Sequence, residues 1–166
     1  PGGATLQRTT LVNTGDTALL ADTLSAAFLT GIGSDGERRW DDDRFRVHFA
    51  YSSWQGEGQW RHMSPEDAGL YKTYNHHSQT SVRLRSVGTW STAKYYPLLL
   101  LEDTELHRTH FFEVLVGGTG WQIELCARGH REDSTLCVFL GAACEGNDGW
   151  TLTLAPGERY TTSVSY

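Results

Sequence analysis

Residues 86–101 read SVGTWSTAKYYPLLLL and contain the features that decide the fold. Pro97 has no N–H to donate to a sheet, so it can begin a strand but cannot lie inside a central one. The four leucines after it are too few for a helix and include no polar position, which predicts a strand buried on both faces. The small, polar and aromatic residues before Pro97 then form a loop at the rim of the sheet that this strand enters.

Outside this stretch, short runs of alternating apolar residues recur between turn residues. In residues 44–51, Phe45, Val47 and Phe49 fall on one face of a strand and Arg46 and His48 on the other. No stretch has helical periodicity, and residues 52–66 read as an aromatic and polar connection. The pattern predicts about eleven strands in an all-β sandwich of antiparallel sheets. The predicted strands are residues 8–13, 18–29, 44–51, 69–75, 79–86, 98–101, 110–116, 121–126, 135–140, 150–154 and 159–166.

Length and charge limit the organisation and the partners of the chain. Its 166 residues predict a single domain, residues 1–166, that buries about 70% of the surface exposed by the unfolded chain. A net charge of −6 gives no bulk attraction for nucleic acid or an anionic membrane. No apolar run approaches the roughly 20 residues of a membrane span. Residues 1–4 lead directly into strand-like sequence, which suggests a piece of a longer protein.

Three cysteines, an odd number, argue against a framework of disulfides. Cys126 and Cys137 are symmetric about the predicted turn at residues 131–132 and could face each other across a hairpin. They could then form a disulfide or remain two small, reduced, apolar residues. The odd count and the absence of a signal peptide favour the reduced state and predict a cytoplasmic protein.

The sequence offers neither a metal site nor a catalytic constellation. His107 and His110 point to opposite faces if they lie in one strand, and the three aspartates at 41–43 lack the glycine and glutamate of a calcium loop. We therefore expect no metal and no other cofactor. No serine lies in a G-x-S-x-G turn, and nothing distinguishes Glu57 from a surface carboxylate. The chain alone is predicted to be inactive as an enzyme.

The aromatic residues carry the strongest functional signal. Trp54, Trp60, Trp90, Tyr95 and Tyr96 are predicted to lie in loops or at strand ends, next to polar residues. Flat rings in such surroundings suit the apolar faces of sugars and suit protein interfaces equally well. The residues alone leave three functions open: a domain that packs on a neighbouring domain, a free-standing carbohydrate-binding module, and a plain interaction domain.

Taken in order, several segments resemble the N-terminal β-supersandwich domain of family 36 glycoside hydrolases, the melibiase-type α-galactosidases. That domain belongs to the galactose-mutarotase-like sandwiches. The similar segments are RTTLVNTG at 8–15, SA at 25–26, YSSWQGE at 51–57, SVGTWS at 86–91, PL at 97–98, FEVLVGG at 112–118, WTL at 150–152 and PGE at 156–158. The chain departs from the family pattern at Thr92 and Tyr96, where the family has serine and asparagine, and at residues 116–119.

The resemblance implies a function for a larger parent protein. The parent would hydrolyse α-galactosides with retention, through two carboxylates on a catalytic barrel that would follow Tyr166. No catalytic residue of the family maps onto this sequence. This domain would pack on the barrel, shape substrate access and contribute to contacts in a homo-oligomer. We expect Trp54, Trp90, Tyr95 and Tyr96 to gather at one end of the sandwich as the docking surface, with Glu57 and Trp60 facing the barrel or the sugar.

Overall fold

The protein, in a computed structural model, is an antiparallel β-sandwich. The structure describes residues 3–33, 39–40, 43–71, 80–115, 120–128, 134–144 and 149–165, with the backbone alone at 142–144. The described part of the chain contains thirteen strands and no helix able to cross a membrane. The strands are β1 (Thr10–Val12), β2 (Leu19–Ala21), β3 (Thr23–Ile32), β4 (Phe45–Tyr51), β5 (Gln59–Met63), β6 (Thr80–Ser86), β7 (Leu98–Asp103), β8 (Arg108–Leu115), β9 (Trp121–Arg128), β10 (Thr135–Cys144), β11 (Leu152–Leu154), β12 (Arg159–Thr161) and β13 (Val164–Ser165).

Two large sheets form the sandwich. One has four strands in the order β3-β10-β9-β6, and the other has five in the order β13-β8-β7-β4-β5. Two short ladders, β1 with β12 and β2 with β11, join early and late segments of the chain. All of these pairings are antiparallel, as the sequence predicted.

The core lies between the two large sheets because alternate residues of each strand point inward. In β4 the inward residues are Phe45, Val47 and Phe49, as the alternation predicted, and in β6 they are Val82 and Leu84. One cluster of buried apolar side chains from both sheets joins them. Burial of these side chains is the main stabilising contribution to the fold, at roughly 25 cal/mol per Å² of apolar surface.

The leucine strand differs from its prediction. Leu99 and Leu101 are fully buried in the core, whereas Leu98 and Leu100 are only half-buried on the outer face of the five-stranded sheet. The prediction of burial on both faces is therefore wrong, because no other layer of the described chain fully covers that outer face.

Four predicted segments also change. The strand predicted at residues 159–166 is interrupted at residues 162–163 into β12 and β13, which pair with β1 and β8 respectively. The strand predicted at residues 18–29 is interrupted at Asp22 into β2 and β3, which pair with different partners. Residues 52–66 contain β5, which the sequence did not predict. In the strand predicted at 69–75, residues 69–71 lie outside any strand, and Gly69 has a φ of 112° that only glycine readily adopts. Predictions for residues 41–42, 72–79, 116–119, 131–132 and 166 fall outside the described residues.

The two central cysteines face each other, an arrangement that the sequence left open. Cys126 of β9 pairs directly with Cys137 of β10, and both are buried free thiols. They lie on the face of the sheet opposite Leu125 and Val138, which point into the core. Burial raises the pKa of each thiol. The pair is thus positioned across neighbouring strands but kept in its protonated, weakly nucleophilic form.

Candidate functional site

Residues 52–58, which connect β4 to β5, present Trp54. The chain turns tightly here: Gly56 N donates to Ser53 O at 3.0 Å, and Gln55 adopts a φ of 59°. A Cβ at Gly56 would lie 2.5 Å from Ser53 Oγ, so a larger residue there would require the Ser53 side chain to rotate away. The indole of Trp54 extends from this turn with 75% of its surface exposed.

Residues 87–97 connect β6 of one sheet to β7 of the other and present Trp90. The four-stranded sheet fixes the middle of this connection: Ser86 Oγ, at the end of β6, donates to Trp90 O at 2.8 Å, and Trp121 Nε1 of β9 donates to Ser91 O at 2.6 Å. The connection also pairs with the end of β4, since Tyr96 N donates to Ala50 O at 3.1 Å. These hydrogen bonds hold the loop backbone, while 52% of the surface of Trp90 remains exposed.

The two loops bring Trp54 and Trp90 into contact. Their ring centroids lie 6.3 Å apart, and the ring planes cross at 79° in an edge-to-face arrangement. We call this pair the tryptophan surface. The predicted proximity and exposure of these two residues are confirmed. Since such a contact stabilises a pair of rings by about 0.5–1.5 kcal/mol beyond the area it buries, the two indoles hold each other in position.

The other predicted residues of these loops lie nearby but are less available. Tyr95 stacks on Tyr51 with centroids 5.1 Å apart and packs against the core, so most of its ring supports the fold. Tyr96 is half-buried, with its hydroxyl near Gly58. Glu57 is exposed, and one of its carboxylate oxygens accepts a hydrogen bond from Gln55 N at 3.1 Å. Glu57 therefore stabilises the turn that carries Trp54.

Trp60 belongs to a different surface. It lies within β5 on the outer face of the five-stranded sheet, where it is 44% exposed and stacks parallel to His62. With His48, Leu100, Glu102 and Thr109 these two residues line a shallow groove of about 470 Å³. The sequence grouped Trp60 with Trp54 as residues of loops or strand ends. In the structure Trp60 is the second residue of β5 and lines this groove with His62.

The groove contains a hydrogen-bonded row that the sequence did not identify. His48 Nε2 lies 2.9 Å from Glu102 Oε2, and His48 Nδ1 lies 2.5 Å from His62 Nδ1. These residues come from β7, β4 and β5, which are neighbours in the sheet. The outward position of His48 was visible in the alternation of residues 44–51. The pairing of His48 with His62 was not visible, because β5 has no alternation of its own. A separation of 14 residues does not show which residue of one strand lies opposite which residue of the other.

Comparisons with known proteins add no family assignment. No protein-family model and no curated protein matches the chain. Within the described ranges, no group of three or more His, Cys, Asp or Glu side chains is arranged to hold a metal ion. The tryptophan surface and the groove are therefore features of the described chain from which a function can be proposed.

Proposed function

We propose that the chain is the non-catalytic N-terminal domain of a retaining α-galactosidase of the family 36 type, and that it packs on the catalytic barrel through the tryptophan surface. The observation that carries the proposal is the contact between Trp54 and Trp90. Two large indoles from separate loops meet at one place and remain mostly exposed. Large exposed apolar patches are uncommon on monomers and typically mark interaction sites.

The fixed backbone of both loops supports a docking role. Trp121 and Ser86 hold the loop of Trp90, and the hydrogen bond from Gly56 N to Ser53 O closes the turn of Trp54. A surface that is already ordered loses little conformational entropy when a partner binds. Tryptophan is also the residue type most enriched among interface hot spots.

The chemistry near the surface favours a supporting role over a catalytic one. Retaining glycosidases need two carboxyl groups about 5–5.5 Å apart. Glu57, the carboxylate on the Trp54 loop, is engaged by the backbone of its own turn. In this proposal the domain shapes the entrance to the barrel's active site and contributes contacts to a homo-oligomer. The proposal includes a cytoplasmic location, and the two opposed free thiols support it.

The reading frame beyond Tyr166 provides the first test. We expect a barrel-length segment with two catalytic carboxylates and hydrolysis of nitrophenyl α-galactoside by the full-length protein. The present chain alone should not hydrolyse that substrate. A frame that ends shortly after Tyr166 would contradict the proposal.

A second test uses substitution in the full-length protein. Trp90→Ala should weaken packing between the domain and the barrel by about 2–4 kcal/mol, typical of a hot spot. Trp60→Ala is the matched control, since Trp60 is similarly exposed but lies on the outer sheet face. Equal effects of the two substitutions on interdomain stability would contradict docking through the tryptophan surface.

A carbohydrate-binding module is the second candidate, favoured by the same pair of exposed indoles. Perpendicular rings form a corner that can contact two faces of a sugar. Galactose can be titrated into the chain while the fluorescence and NMR shifts of Trp54, Trp90, Tyr95 and Tyr96 are followed. Under the docking proposal we expect no saturable change. A saturable change at these residues would favour the binding module.

A further inference from the structure

A cavity of about 360 Å³ lies at the other end of β4 and β7 from the tryptophan surface. Both large sheets contribute to its walls: Gly31–Gly33 from the end of β3, and the start of β4, the end of β7 and the start of β8 from the five-stranded sheet. Trp54 instead follows the end of β4, and Trp90 lies in the connection that leads into β7. The cavity is therefore separate from the proposed docking surface, and its volume is typical of small-molecule sites, about 300–1,000 Å³.

The charged side chains of the cavity are not balanced. The guanidinium groups of Arg44 and Arg108 line it together with one carboxylate, that of Asp103. Asp103 lies opposite Arg108 in the ladder between β7 and β8, but its ion pair is with Arg44, at 3.1 Å. Within the described ranges, the Arg108 side chain has no ion pair and no hydrogen bond. One positive charge therefore remains at this cavity, in a chain whose net charge is −6.

The cavity offers hydrogen-bond donors more than acceptors. Both oxygens of Asp103 are occupied, one by Arg44 and the other by two backbone N–H groups of the following turn. Partial burial and the charge of Arg108 lower the pKa of His110, which also lines the cavity, so its ring is neutral near pH 7 and offers one N–H. Arg108 offers a planar fork of N–H groups that matches the two oxygens of a carboxylate. A ligand that fits must therefore carry acceptors and negative charge.

The remaining lining of the cavity is mostly apolar. It comes from Ile32, Phe45 and Leu106, beside the two glycines of β3 and the following residue. The guanidinium carbon of Arg44 lies 4.5 Å from the centroid of the Phe45 ring, a cation–π contact that holds this charge against the apolar wall. Apolar walls with a few polar groups are the usual composition of sites for small organic molecules. An inorganic anion would use only the charged part of this lining.

We propose that this cavity binds a small organic carboxylate. Its carboxylate group pairs with Arg108 and accepts a hydrogen bond from His110, while its apolar body rests against Phe45 and Leu106. Arg44, held in place by Asp103, adds positive charge from the buried side. Such a ligand would contact β3 of one sheet and β4, β7 and β8 of the other, and so would join the two sheets at this end. The site does not depend on docking of the domain on a barrel.

Titration of the chain with benzoate, at an ionic strength kept constant with sodium chloride, tests the site. We expect saturable NMR shifts of the backbone amides of Gly31, Gly33, Arg108 and His110, with a Kd of about 1–10 mM for one ion pair and a small apolar contact. Inorganic phosphate should bind at least about threefold more weakly, because it does not bury the apolar wall. Absence of saturable shifts with benzoate would overturn the proposal. Phosphate binding as tight as that of benzoate would overturn the assignment to an organic carboxylate.

Substitutions locate the bound benzoate. Arg108→Gln should lower the affinity about tenfold or more, because it removes the charged donor. Arg61→Gln is the matched control: it makes the same change of charge at an exposed arginine of β5 outside the cavity, and it should keep wild-type affinity. Leu106→Trp keeps both arginines but fills the cavity, so it should also lower the affinity about tenfold or more. Wild-type affinity in Arg108→Gln or Leu106→Trp, or loss of binding in Arg61→Gln with a native circular dichroism spectrum, would overturn the assignment.

Discussion

The guanidinium of Arg44 and the carboxylate of Asp103 form a buried ion pair, with Nη1 and Oδ2 3.1 Å apart. The pair joins the residue before β4 to the last residue of β7. The other oxygen of Asp103 accepts hydrogen bonds from Glu105 N and Leu106 N, each at 3.1 Å, at the start of the turn into β8. One carboxylate therefore neutralises a buried charge and also orders a turn.

Asp103→Asn should destabilise the fold strongly because it leaves the Arg44 charge buried without its counter-charge. Loss of one partner of a buried ion pair costs about 3–5 kcal/mol. Urea unfolding followed by circular dichroism measures the change. Glu124→Gln is the control: Glu124 pairs with the more exposed Arg83 at 2.8 Å, and its loss should cost about 0–1 kcal/mol. Equal losses would show that burial does not determine the contribution of Asp103.

Trp121→Phe should loosen the loop of Trp90. The change removes the donor to Ser91 O and leaves that carbonyl unpaired, at a cost of about 1–3 kcal/mol. Exchange of the Ala93 amide hydrogen, which bonds to Trp90 O, should accelerate. Trp40→Phe is the matched control, since it removes a buried indole hydrogen bond to Ser134 without touching this loop. Comparable acceleration at Ala93 in both variants would contradict this role of Trp121.

Cys126 and Cys137 should resist alkylation in the native chain because burial raises the pKa of both thiols. We expect their peptides to be unmodified by iodoacetamide at pH 7.5 and fully modified once the chain is denatured without reductant. Mass spectrometry of the two peptides distinguishes the states. If both peptides remain unmodified after denaturation, the residues form a disulfide and the free-thiol assignment is wrong.

His110 should make stability fall in mildly acidic solution. Partial burial first, and then the nearby charge of Arg108, lower the pKa of its ring, while Asp103 opposes the shift. The unfolded chain therefore binds a proton before the folded chain does as pH falls below about 6.5, so the contribution of His110 is present above that pH and is lost below it. The loss of unfolding free energy between pH 7.5 and 5.5 should be smaller in His110→Gln. An equal loss would exclude His110 as a contributor.

The fold followed from the sequence where two-residue alternation marked both faces of a strand, as in β4 and β6. The prediction from sequence failed where alternation was absent. Four consecutive leucines give no sign of which face is outward, so the half-burial of Leu98 and Leu100 was missed. Strand β5 was missed because Trp60, Arg61 and His62 are all exposed. Pairing with β4, and not an apolar pattern, makes this segment a strand.

The tryptophan surface and the groove differ in how far their residues could be predicted from the sequence. Trp54 and Trp90 were expected together because each adjoins the end of a recognisable strand. The groove depends on the register between β4 and β5, which places His48 opposite His62. A shift of one residue would turn one of these side chains to the other face. Such register is fixed by three-dimensional pairing and cannot be derived from either segment alone.

The pairing of early and late segments determines how the molecule would respond to force. Gln7 is bridged to Ser165, and β1 runs antiparallel to β12 with Thr10 opposite Thr161 and Val12 opposite Arg159. A pull applied at residues 7 and 165 would load these hydrogen bonds one rung at a time, as in opening a zipper, and not all together in shear. The sandwich should therefore begin to open at low force from this corner, while the longer ladders between β3, β10 and β9 are still intact.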